Sequence, residues 1–360
     1  MRSPRSIDIS ITSKCNLHCR YCYFFDRPGI TYTDLPTAEW LRFFKELGKL
    51  KVMNVAIMGG EPFLRSDLDK ILEGIVYNRM RFYILSNGSL INNDIAKFIK
   101  STGRCNFVMV SLDGSCAEIH DASRGQGSFE GAVRGIKTLQ RHDIPVTACV
   151  TINHYNVHDL DSIARFILDD LGLSLFESLS PYYLGSCLKH ADEIQLTAKD
   201  RMKAMATLLK LSDKYPGRIS AEDGPLYEVR SWKRMEESRL QTPASKEGGH
   251  LDACGNSSIS IHVHSDGTIT PCPFLPQINL GRINRDSLSE VWQNSPVLNN
   301  MRSRCIALAD FEFCQGCDYI NYCKGICPAT ISAYSKTGEL DHPGPGNCLR
   351  VFLRDGGKLP

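Results

Sequence analysis

The chain has 360 residues, 42% hydrophobic and 23% charged, which indicates a folded globular protein and excludes disordered, collagen-like and coiled-coil chains. Its 42 Lys and Arg nearly balance its 40 Asp and Glu, for a formal net charge of +2, so coating nucleic acid or an anionic membrane is excluded as a main role. Without a signal peptide or a run of about 18 apolar residues, the sequence predicts a cytoplasmic protein with no nucleic-acid or membrane partner.

Six β-rich runs alternate with amphipathic stretches over the first half of the chain. The runs are 6–11, 52–58, 81–86, 107–112, 146–152 and 173–179. In the first amphipathic stretch Trp40, Phe43, Phe44 and Leu47 recur at helical spacing, and Thr37 is the predicted N-cap. Six β/α units in a row predict a parallel sheet with crossover helices. Because eight units close a full barrel, six predict a partial (β/α)6 TIM-like barrel with its reactive face at the strand carboxyl ends.

The composition changes after a further helical stretch at 194–215. Residues 217–250 are rich in Gly, Ser, Glu, Lys and Pro and read as a linker or bridging segment with some helix at 228–240. A hairpin is predicted within 257–272, where Asp266-Gly267 would supply the positive φ of a tight turn. The predicted organisation is a barrel at 1–216, a bridging segment at 217–250 and a small cysteine-rich domain at 251–360.

The chain contains 15 cysteines. Because nothing directs the chain to an oxidising compartment, a disulfide framework is the weaker interpretation, and clustered thiols favour metal binding. Four cysteines are scattered through the middle, and the others gather near the two ends. The end groups are Cys15, Cys19 and Cys22, and then Cys254, Cys272, Cys305, Cys314, Cys317, Cys323, Cys327 and Cys348.

The first group follows the first predicted strand directly. Cys15, Cys19 and Cys22 have a C-x3-C-x2-C spacing on one short loop. Three thiolates can hold three irons of a [4Fe-4S] cube and leave the fourth iron without a protein ligand. A zinc site is the alternative, and His18 would have to complete its four ligands from inside the loop.

This spacing, with Tyr21 directly before Cys22, resembles the signature of the radical S-adenosylmethionine (SAM) enzymes. The resemblance implies that SAM chelates the open iron through its amino and carboxylate groups. Reductive cleavage of SAM would then yield methionine and a 5′-deoxyadenosyl radical. By the same resemblance, Tyr21 would lie beside the adenine of SAM.

A second motif, Met58-Gly59-Gly60-Glu61-Pro62, ends the second predicted strand. Two glycines let backbone approach a ligand closely, and a carboxylate can accept hydrogen bonds from an ammonium group. The motif resembles the GGEP motif of the same superfamily. The resemblance implies that Gly59, Gly60 and Glu61 bind the SAM amino group.

Further polar residues follow the later strands. Hydroxyl and guanidinium groups suit a carboxylate, and a carboxylate suits ribose hydroxyls. By similarity, Ser111 and Arg124 are assigned to the SAM carboxylate and ribose region, with Asp113 as an additional candidate. Asn87 and Asn153 follow the third and fifth predicted strands and fit either cofactor contacts or ordinary turns.

The C-terminal cysteines follow the pattern C-x12-G-x4-C, gap, C-x2-C-x5-C-x3-C, gap, C. This pattern resembles the seven-cysteine SPASM extension of radical SAM enzymes that modify peptides, which implies two auxiliary [4Fe-4S] clusters and therefore three clusters in all. A zinc ribbon is the alternative, but one tetrahedral site leaves three of these cysteines unexplained. The resemblance assigns the ligands to a cluster nearer the barrel, with Cys254, Cys272 and Cys327, and to a distal cluster, with Cys314, Cys317, Cys323 and Cys348.

The cluster nearer the barrel lacks a fourth ligand in this assignment. Three possibilities stay open from the sequence. Cys305 completes the cube, or the iron is left open to bind substrate, or His262 or His264 enters as a ligand.

The resemblance implies hydrogen abstraction from a peptide or protein substrate, with electrons from a flavodoxin- or ferredoxin-type reductant. Auxiliary clusters suit a net oxidation, so oxidative cross-link or thioether formation in a ribosomally made peptide is the leading hypothesis.

Four alternatives remain: formylglycine formation as in sulfatase maturases, peptide epimerisation, tetrapyrrole or quinone-cofactor biosynthesis, and a non-catalytic zinc-binding module. Formylglycine formation is disfavoured because Pro273, not an aspartate, follows Cys272. Epimerisation needs a thiol hydrogen donor, for which Cys149 and Cys187 are candidates, although single cysteines are more often small buried apolar residues.

The first predicted strand begins within ten residues of the start of the chain. That leaves no room for the N-terminal leader-binding domain of many peptide maturases. We therefore expect leader recognition, if any, by a separate protein or by the bridging segment and the surface of the cysteine-rich domain.

Overall fold

Seven parallel strands form the central sheet, in the same order as in the chain. The computed structural model describes residues 3–27, 32–241, 248–334, 340–344 and 346–360. The six predicted runs are confirmed as strands, and a seventh strand of two residues, too short to show a periodicity, was missed. The strands are β1 Ser6–Thr12, β2 Asn54–Gly59, β3 Arg81–Ser86, β4 Cys105–Ser111, β5 Val146–Thr151, β6 Phe176–Leu179 and β7 Ile219–Ser220.

Helices cover the outer face of this sheet. In β1, Ile7 and Ile9 are fully buried on that face, in one apolar core with Trp40 and Phe43 of the first helix. The α/β crossover architecture predicted from the sequence is therefore confirmed. The helices up to β6 are α1 Thr37–Lys49, α2 Leu68–Tyr77, α3 Asn93–Ser101, α4 Ala117–Arg124, α5 Ser128–Arg141 and α6 Leu160–Arg165, which continues as a π-helical turn Phe166–Asp170.

The predicted N-cap of α1 is wrong. Pro36, in an extended conformation, occupies the cap position, and Thr37 is the first helical residue. The Thr37 hydroxyl donates instead to the carboxylate of Asp67, just before α2. A tertiary acceptor thus replaces the local backbone acceptor that a capping threonine would use.

The inner face of the sheet carries polar residues from strands that are distant in the sheet order. A flat sheet would place β1 and β7 about 29 Å apart, at about 4.8 Å per strand. Burial and then the charge of Glu222, just after β7, raise the pKa of Asp8 on β1 to about 6. Only a strongly curved sheet brings these carboxylates together, although the sheet is not closed. The predicted partial barrel is therefore confirmed.

The predicted hairpin is present, and it extends the barrel sheet. Strand β9 His262–Val263 pairs in parallel with β1, with His262 opposite Asp8, and β10 Thr268–Thr270 and β11 Gly281–Arg282 follow antiparallel. Gly267 has φ +90° in the turn, but Asp266 has no positive φ, so only one of the two predicted turn residues supplies it. Asp266 instead accepts a hydrogen bond from the amide of Thr268 at 2.9 Å.

The remaining elements include the two predicted helices after β6. The bridging segment is mostly helical, because α10 buries Leu226, Val229 and Trp232 against the core. Residues 242–247 of this segment lie outside the described residues, and the domain boundaries at 216 and 250 stay predictions.

The helices after β6 are α7 Ser186–Lys189, α8 Ala191–Ile194, α9 Ala198–Lys214, α10 Gly224–Leu240, α11 Leu288–Asn294, α12 Pro296–Ser303, α13 Pro328–Tyr334 and α14 Leu349–Arg354, and the strand pair is β8 His250–Leu251 with β12 Ile306–Ala307. Among the described residues, no helix is long and apolar enough to cross a membrane.

Candidate active site

The cysteine loop at the end of β1 is anchored by one carboxylate. Asp34 accepts hydrogen bonds from the Thr12 hydroxyl at 2.6 Å, the Ser13 amide at 2.7 Å and the Ser13 hydroxyl at 2.9 Å. The amide of Lys14 donates in turn to the Thr12 hydroxyl at 3.1 Å. These bonds fix the direction in which the chain leaves the sheet, and the cysteines follow directly.

The three thiols of this loop lie near one another, and two of them receive amide hydrogen bonds. Amides of Leu17 and Phe24 donate to the sulfurs of Cys15 and Cys22, both at 3.4 Å. Burial raises the pKa of Cys19 to about 12, and the neighbouring Cys22 and Cys15 charges add to the rise. A site made of thiols alone fits an iron–sulfur cluster. Hydrogen bonds from N–H groups to the sulfurs would help to set the reduction potential of that cluster.

The described residues contain no group of three or more His, Cys, Asp or Glu side chains that could hold a single metal ion. This result concerns mononuclear sites. Two sulfurs bound to one zinc at 2.3 Å lie only about 3.8 Å apart, whereas a cube spreads its thiolates over separate irons. The alternative zinc site needs His18 in a close group with the cysteines, and the described residues contain no such group.

The glycine motif docks β2 onto the cysteine loop. A Cβ on Gly60 would lie 2.0 Å from the carbonyl oxygen of Lys14 and 3.0 Å from the amide nitrogen of Cys15. Gly59 has φ +139°, and a Cβ there would lie 2.4 Å from the carbonyl oxygen of Thr12. The amide of Glu61 donates to the Lys14 carbonyl at 2.7 Å. The glycines are therefore required by the approach of two backbone segments, a reason that the motif alone does not reveal.

Glu61 is fully buried behind this contact. Its carboxylate accepts hydrogen bonds from the Ser86 hydroxyl at 2.8 Å, the Asn87 amide at 2.8 Å and the Phe63 amide at 3.2 Å. Burial raises the pKa of Glu61 to about 7. All three donors are uncharged, so none of them neutralises the negative charge that would attract an ammonium group. The role of Glu61 in binding the SAM amino group stays a prediction.

The two predicted asparagines differ in their surroundings. The Asn87 side chain donates to the Asn16 side chain at 3.0 Å and approaches the sulfur of Cys15 at 3.9 Å, so it lies against the cysteine loop. Asn153 is buried and donates to the Thr151 carbonyl at 3.0 Å, as a turn residue does.

Tyr21, Asp113 and Arg124 form one buried network. The fully buried Asp113 carboxylate accepts hydrogen bonds from Arg124 Nε at 2.6 Å, from the Thr151 amide at 2.8 Å and from the Tyr21 hydroxyl. The Arg124 guanidinium lies 5.1 Å from the centre of the Tyr21 ring. Burial alone would lower the pKa of Arg124, but Asp113, Tyr21 and Cys19 together outweigh it and hold that pKa well above its usual range. The network joins the cysteine loop to β4 and α4, a pairing that sequence reasoning missed.

Ser111 ends β4 beside the same region and is half-buried. It lies opposite Cys149 of β5 in the parallel register. The predicted contacts of Ser111 and Arg124 with SAM stay predictions.

The structure brings Cys254, Cys272 and Cys327 together. Burial and then the charges of Cys327 and Cys254 raise the pKa of Cys272. Cys254 and Cys272 pack against a small apolar cluster that includes Leu275 and Met301. Three thiols, two of them with an apolar surround, are a chemically suitable set for an iron–sulfur cluster.

Four other cysteines form a separate group. Burial and then the charges of Cys323, Cys348 and Cys317 raise the pKa of Cys314 to about 11. The amide of Gly325 donates to the sulfur of Cys323 at 3.3 Å. All 15 cysteines are among the described residues and all are free thiols. The assignment of the two groups to two auxiliary clusters stays a prediction.

The candidates for a fourth ligand differ in accessibility. Cys305 is exposed. His262 and His264 are buried, with Nε2 atoms 3.2 Å from the Ser10 hydroxyl and 3.1 Å from the Thr270 hydroxyl. Within the described residues, neither Nδ1 has a hydrogen-bond partner. Burial lowers the pKa of both rings, that of His264 to about 4.

The two candidate hydrogen donors have different environments. Cys149 lies opposite Glu177 in the β5–β6 register, and after burial the charge of Asp113 is the main cause that raises the pKa of its thiol. Cys187 is fully buried in a small apolar cluster with Tyr21 and Ile194. Cys187 therefore has the surroundings of a packing residue, whereas Cys149 faces charged groups.

A cleft of about 730 Å³ lies between the barrel and the C-terminal region, and sequence reasoning missed it. Its lining includes Tyr182, Asp223 and Thr330. Asp223 accepts a hydrogen bond from the Ser180 amide at 2.7 Å, and burial raises its pKa to about 6. Tyr182 stacks on Phe274 with ring centres 3.7 Å apart. The charge of Cys327 acts on Tyr182, so this wall of the cleft lies near that thiol.

Two family models match the chain in separate segments. The model of the radical SAM superfamily matches residues 9–167. The model of the SPASM iron-sulfur cluster-binding domain matches residues 254–318. The first segment contains the cysteine loop, the glycine motif and Arg124, and the second contains Cys254, Cys272, Cys314 and Cys317.

Several characterised proteins are similar over most of the chain. An AdoMet-dependent heme synthase of Methanosarcina barkeri is 24% identical over 94% of both chains. The mycofactocin maturase MftC of Mycobacterium ulcerans is 27% identical, over 97% of this chain and 89% of its own. AlbA of Bacillus subtilis, a biosynthesis protein of the antilisterial bacteriocin subtilosin, is 25% identical over 89% and 67%.

A solved structure supports the same fold. SuiB of Streptococcus suis bound to S-adenosylmethionine superposes with a TM-score of 0.72 at 15% identity, covering 97% of this chain and 78% of SuiB. A second structure of SuiB, with its precursor peptide SuiA, also gives a TM-score of 0.72.

Proposed function

Because the chain belongs to the radical SAM superfamily and carries a C-terminal SPASM domain, we propose that it forms an oxidative cross-link, such as a thioether, in a ribosomally made peptide. The similarity to MftC and AlbA, a maturase and a bacteriocin biosynthesis protein, supports a peptide substrate. The similarity to a heme synthase makes a tetrapyrrole the second candidate.

We assign the cluster ligands by the grouping of the thiols. Cys15, Cys19 and Cys22 would hold the cluster that binds SAM, and the two C-terminal groups of cysteines would hold two auxiliary clusters. When bound and reduced, the first cluster and SAM supply a 5′-deoxyadenosyl radical that removes a hydrogen atom from the substrate. Closure of the cross-link would then release one proton and one electron, and the auxiliary clusters would be suited to accept that electron.

The chain's own residues would bind and orient SAM. The Glu61 carboxylate would accept hydrogen bonds from its ammonium group, beside backbone freed by Gly59 and Gly60. Arg124 and Ser111 would hold the carboxylate and ribose region, and Tyr21 would contact the adenine. Ordering of the reacting groups is the main contribution that a protein makes to such chemistry.

The observation that carries the choice of a peptide is the charge of the inner barrel wall. Asp8, Glu177 and Asp223 are half-buried there, with Glu222 at the rim, and none of the four forms an ion pair within the described residues. Burial raises the pKa of Glu177 to about 7, and the neighbouring carboxylates add to the rise. Such a wall repels the carboxylates of a porphyrin. It suits the amide, hydroxyl and ammonium groups of a peptide, which donate hydrogen bonds.

Other parts of the proposal concern partners. A flavodoxin- or ferredoxin-type protein would deliver the electrons. A separate leader-binding protein, or the surface of the bridging segment and the SPASM domain, would recognise a leader peptide. Tight binding of such a leader to residues 1–200 alone would contradict this arrangement.

The test uses the anaerobically reconstituted enzyme with SAM and dithionite. Short peptides encoded beside the gene and iron coproporphyrin III serve as separate substrates. We expect about twelve irons per chain, 5′-deoxyadenosine, and a peptide product that has lost one pair of hydrogen atoms. The Cys19→Ala variant is the control, since it should release no 5′-deoxyadenosine. Conversion of the porphyrin, or a peptide product of unchanged mass, would contradict the proposed reaction.

A further inference from the structure

Arg27 connects the backbone beside two cysteines that are distant in the chain. Its Nε donates to the carbonyl of Tyr23, which follows Cys22. Its Nη1 and Nη2 atoms both donate, at 3.3 Å, to the carbonyl of Pro273, which follows Cys272 and is 246 residues away from Arg27. One side chain thus links the first cysteine loop to the C-terminal cysteine group.

The guanidinium of Arg27 is buried without a carboxylate partner. The residue is 9% exposed, and within the described ranges no Asp or Glu forms an ion pair with it. Its hydrogen-bond acceptors are two neutral carbonyls, and the Tyr23 ring lies 5.2 Å from its central carbon. Burial of an ionised group is costly unless an opposite charge lies nearby. Among the residues that the structure describes, the counter-charge of this buried cation therefore does not come from a carboxylate.

The surrounding titratable groups identify the missing charge. His262 and His264 also lie near Arg27, but burial lowers the pKa of both rings. The groups whose negative charges act most on Arg27 are Tyr23, Tyr32, Cys22 and Cys272. Two of them are tyrosines, which are neutral at physiological pH. The other two are cysteines, which carry negative charge once they ligate iron. A [4Fe-4S]2+ core has a net charge of −1 with three thiolates and of −2 with four.

We propose that Arg27 is the shared counter-cation of the SAM-binding cluster and the first auxiliary cluster. This inference rests on the proposed function, because both clusters must be present. Arg27 lies between a ligand of each cluster and is fixed to both backbones. It therefore stabilises the more negative, reduced state of each cluster, and so raises both reduction potentials.

A substrate carboxylate is the other anion that Arg27 could bind. The geometry favours the clusters for two reasons. The guanidinium is nearly inaccessible, and its Nη atoms are directed to the Pro273 carbonyl. It is also absent from the lining of the cleft that contains Tyr182 and Asp223.

The test measures the midpoint potentials of the clusters in the reconstituted full-length enzyme by redox titration followed by electron paramagnetic resonance. For Arg27→Gln we expect unchanged iron content and lower midpoint potentials for both clusters. Arg27→Lys keeps the charge and should retain potentials close to those of the wild type. The matched control is Arg20→Gln in the same loop, because the Arg20 side chain is 44% exposed and paired with Glu193. Its potentials should shift far less than those of Arg27→Gln.

The outcomes separate this inference from the proposed function. A wild-type enzyme without clusters or SAM cleavage contradicts the proposed function whatever Arg27 does. A clustered enzyme in which Arg27→Gln leaves both potentials unchanged, or shifts them no more than Arg20→Gln, overturns only the role of Arg27. If Arg27→Gln fails to assemble clusters, Arg27→Lys should restore the wild-type iron content. If Arg27→Lys also fails to assemble clusters, the inference is overturned, because a positive charge at this position would then not be sufficient for cluster assembly.

Discussion

The carbonyl oxygen of Lys14 lies 2.0 Å from the position that a Cβ on Gly60 would occupy. The backbone directly after β2 therefore packs on the backbone that presents Cys15. Both partners are main-chain atoms, so neither can move aside without displacing the cysteine loop.

We predict that Gly60→Ala destabilises the cysteine loop. The added methyl group forces the two backbones apart, which costs about 1–3 kcal/mol or more, and it should lower the iron content and SAM cleavage together. Gly255→Ala is the matched control, because Gly255 has helical φ and ψ and nothing lies within 4 Å of its added Cβ. Iron quantification and chemical denaturation check both variants, and equal behaviour of the two would refute the steric explanation.

A second prediction concerns the buried pair of Asp113 and Arg124. Asp113→Ala should lower the free energy of unfolding by about 3–5 kcal/mol, because it leaves the Arg124 charge buried and unpaired. For comparison, Glu130→Gln removes a pair with Arg134 that spans 3.8 Å on the surface, and it should cost less than about 0.5 kcal/mol. Urea denaturation of both variants measures the difference, and similar losses would show that burial of the pair is unimportant.

A third prediction is a pH dependence of stability caused by Glu177. Burial, with Glu222 and Asp223 nearby, raises the pKa of Glu177 to about 7 in the folded chain, above the ordinary value of about 4.3. The folded state then binds more protons than the unfolded state between these values, so Glu177 reduces stability as the pH rises from about 4 to 7.

The Glu177→Gln variant should therefore gain stability over the wild type across this range, by less than the about 3.7 kcal/mol of the full shift, because solvent screens this half-buried carboxylate. The exposed Glu118→Gln substitution serves as the reference. Thermal denaturation at a series of pH values gives the comparison. A constant difference between Glu177→Gln and the wild type at every pH would contradict the raised pKa.

A fourth prediction distinguishes the cysteine groups. Cys323→Ala and Cys327→Ala should each lose about four irons per chain, but from different clusters. The Cys305→Ala variant should keep the full iron content, because the main thiol charges that act on Cys272 are those of Cys327 and Cys254, not that of the exposed Cys305. Iron analysis with Mössbauer spectroscopy measures this, and iron loss in Cys305→Ala would identify Cys305 as the fourth ligand instead.

Much of the fold and of the candidate site follows from local sequence features. The period-two pattern of β1 and the helical spacing of Trp40, Phe43 and Phe44 predict elements that the structure contains, since these patterns reflect which face of a single element is buried. The cysteine spacings likewise place thiols on one loop without any knowledge of the fold. The N-cap at Thr37 failed because a distant carboxylate, Asp67, competes for the hydroxyl.

Other features depend on which segments meet, and no local pattern contains that information. The pairing of β9 with β1 decides that His262 lies opposite Asp8, and the curvature of the sheet decides that Asp8 and Glu222 interact. Arg27 lies beside Pro273 for the same reason. The sequence by itself determined the elements, the cysteine groups and the glycine motif, because each depends on residues close together in the chain. Only the tertiary structure decided the acidic barrel wall, the cleft and the position of Arg27, because these depend on the packing of the whole chain.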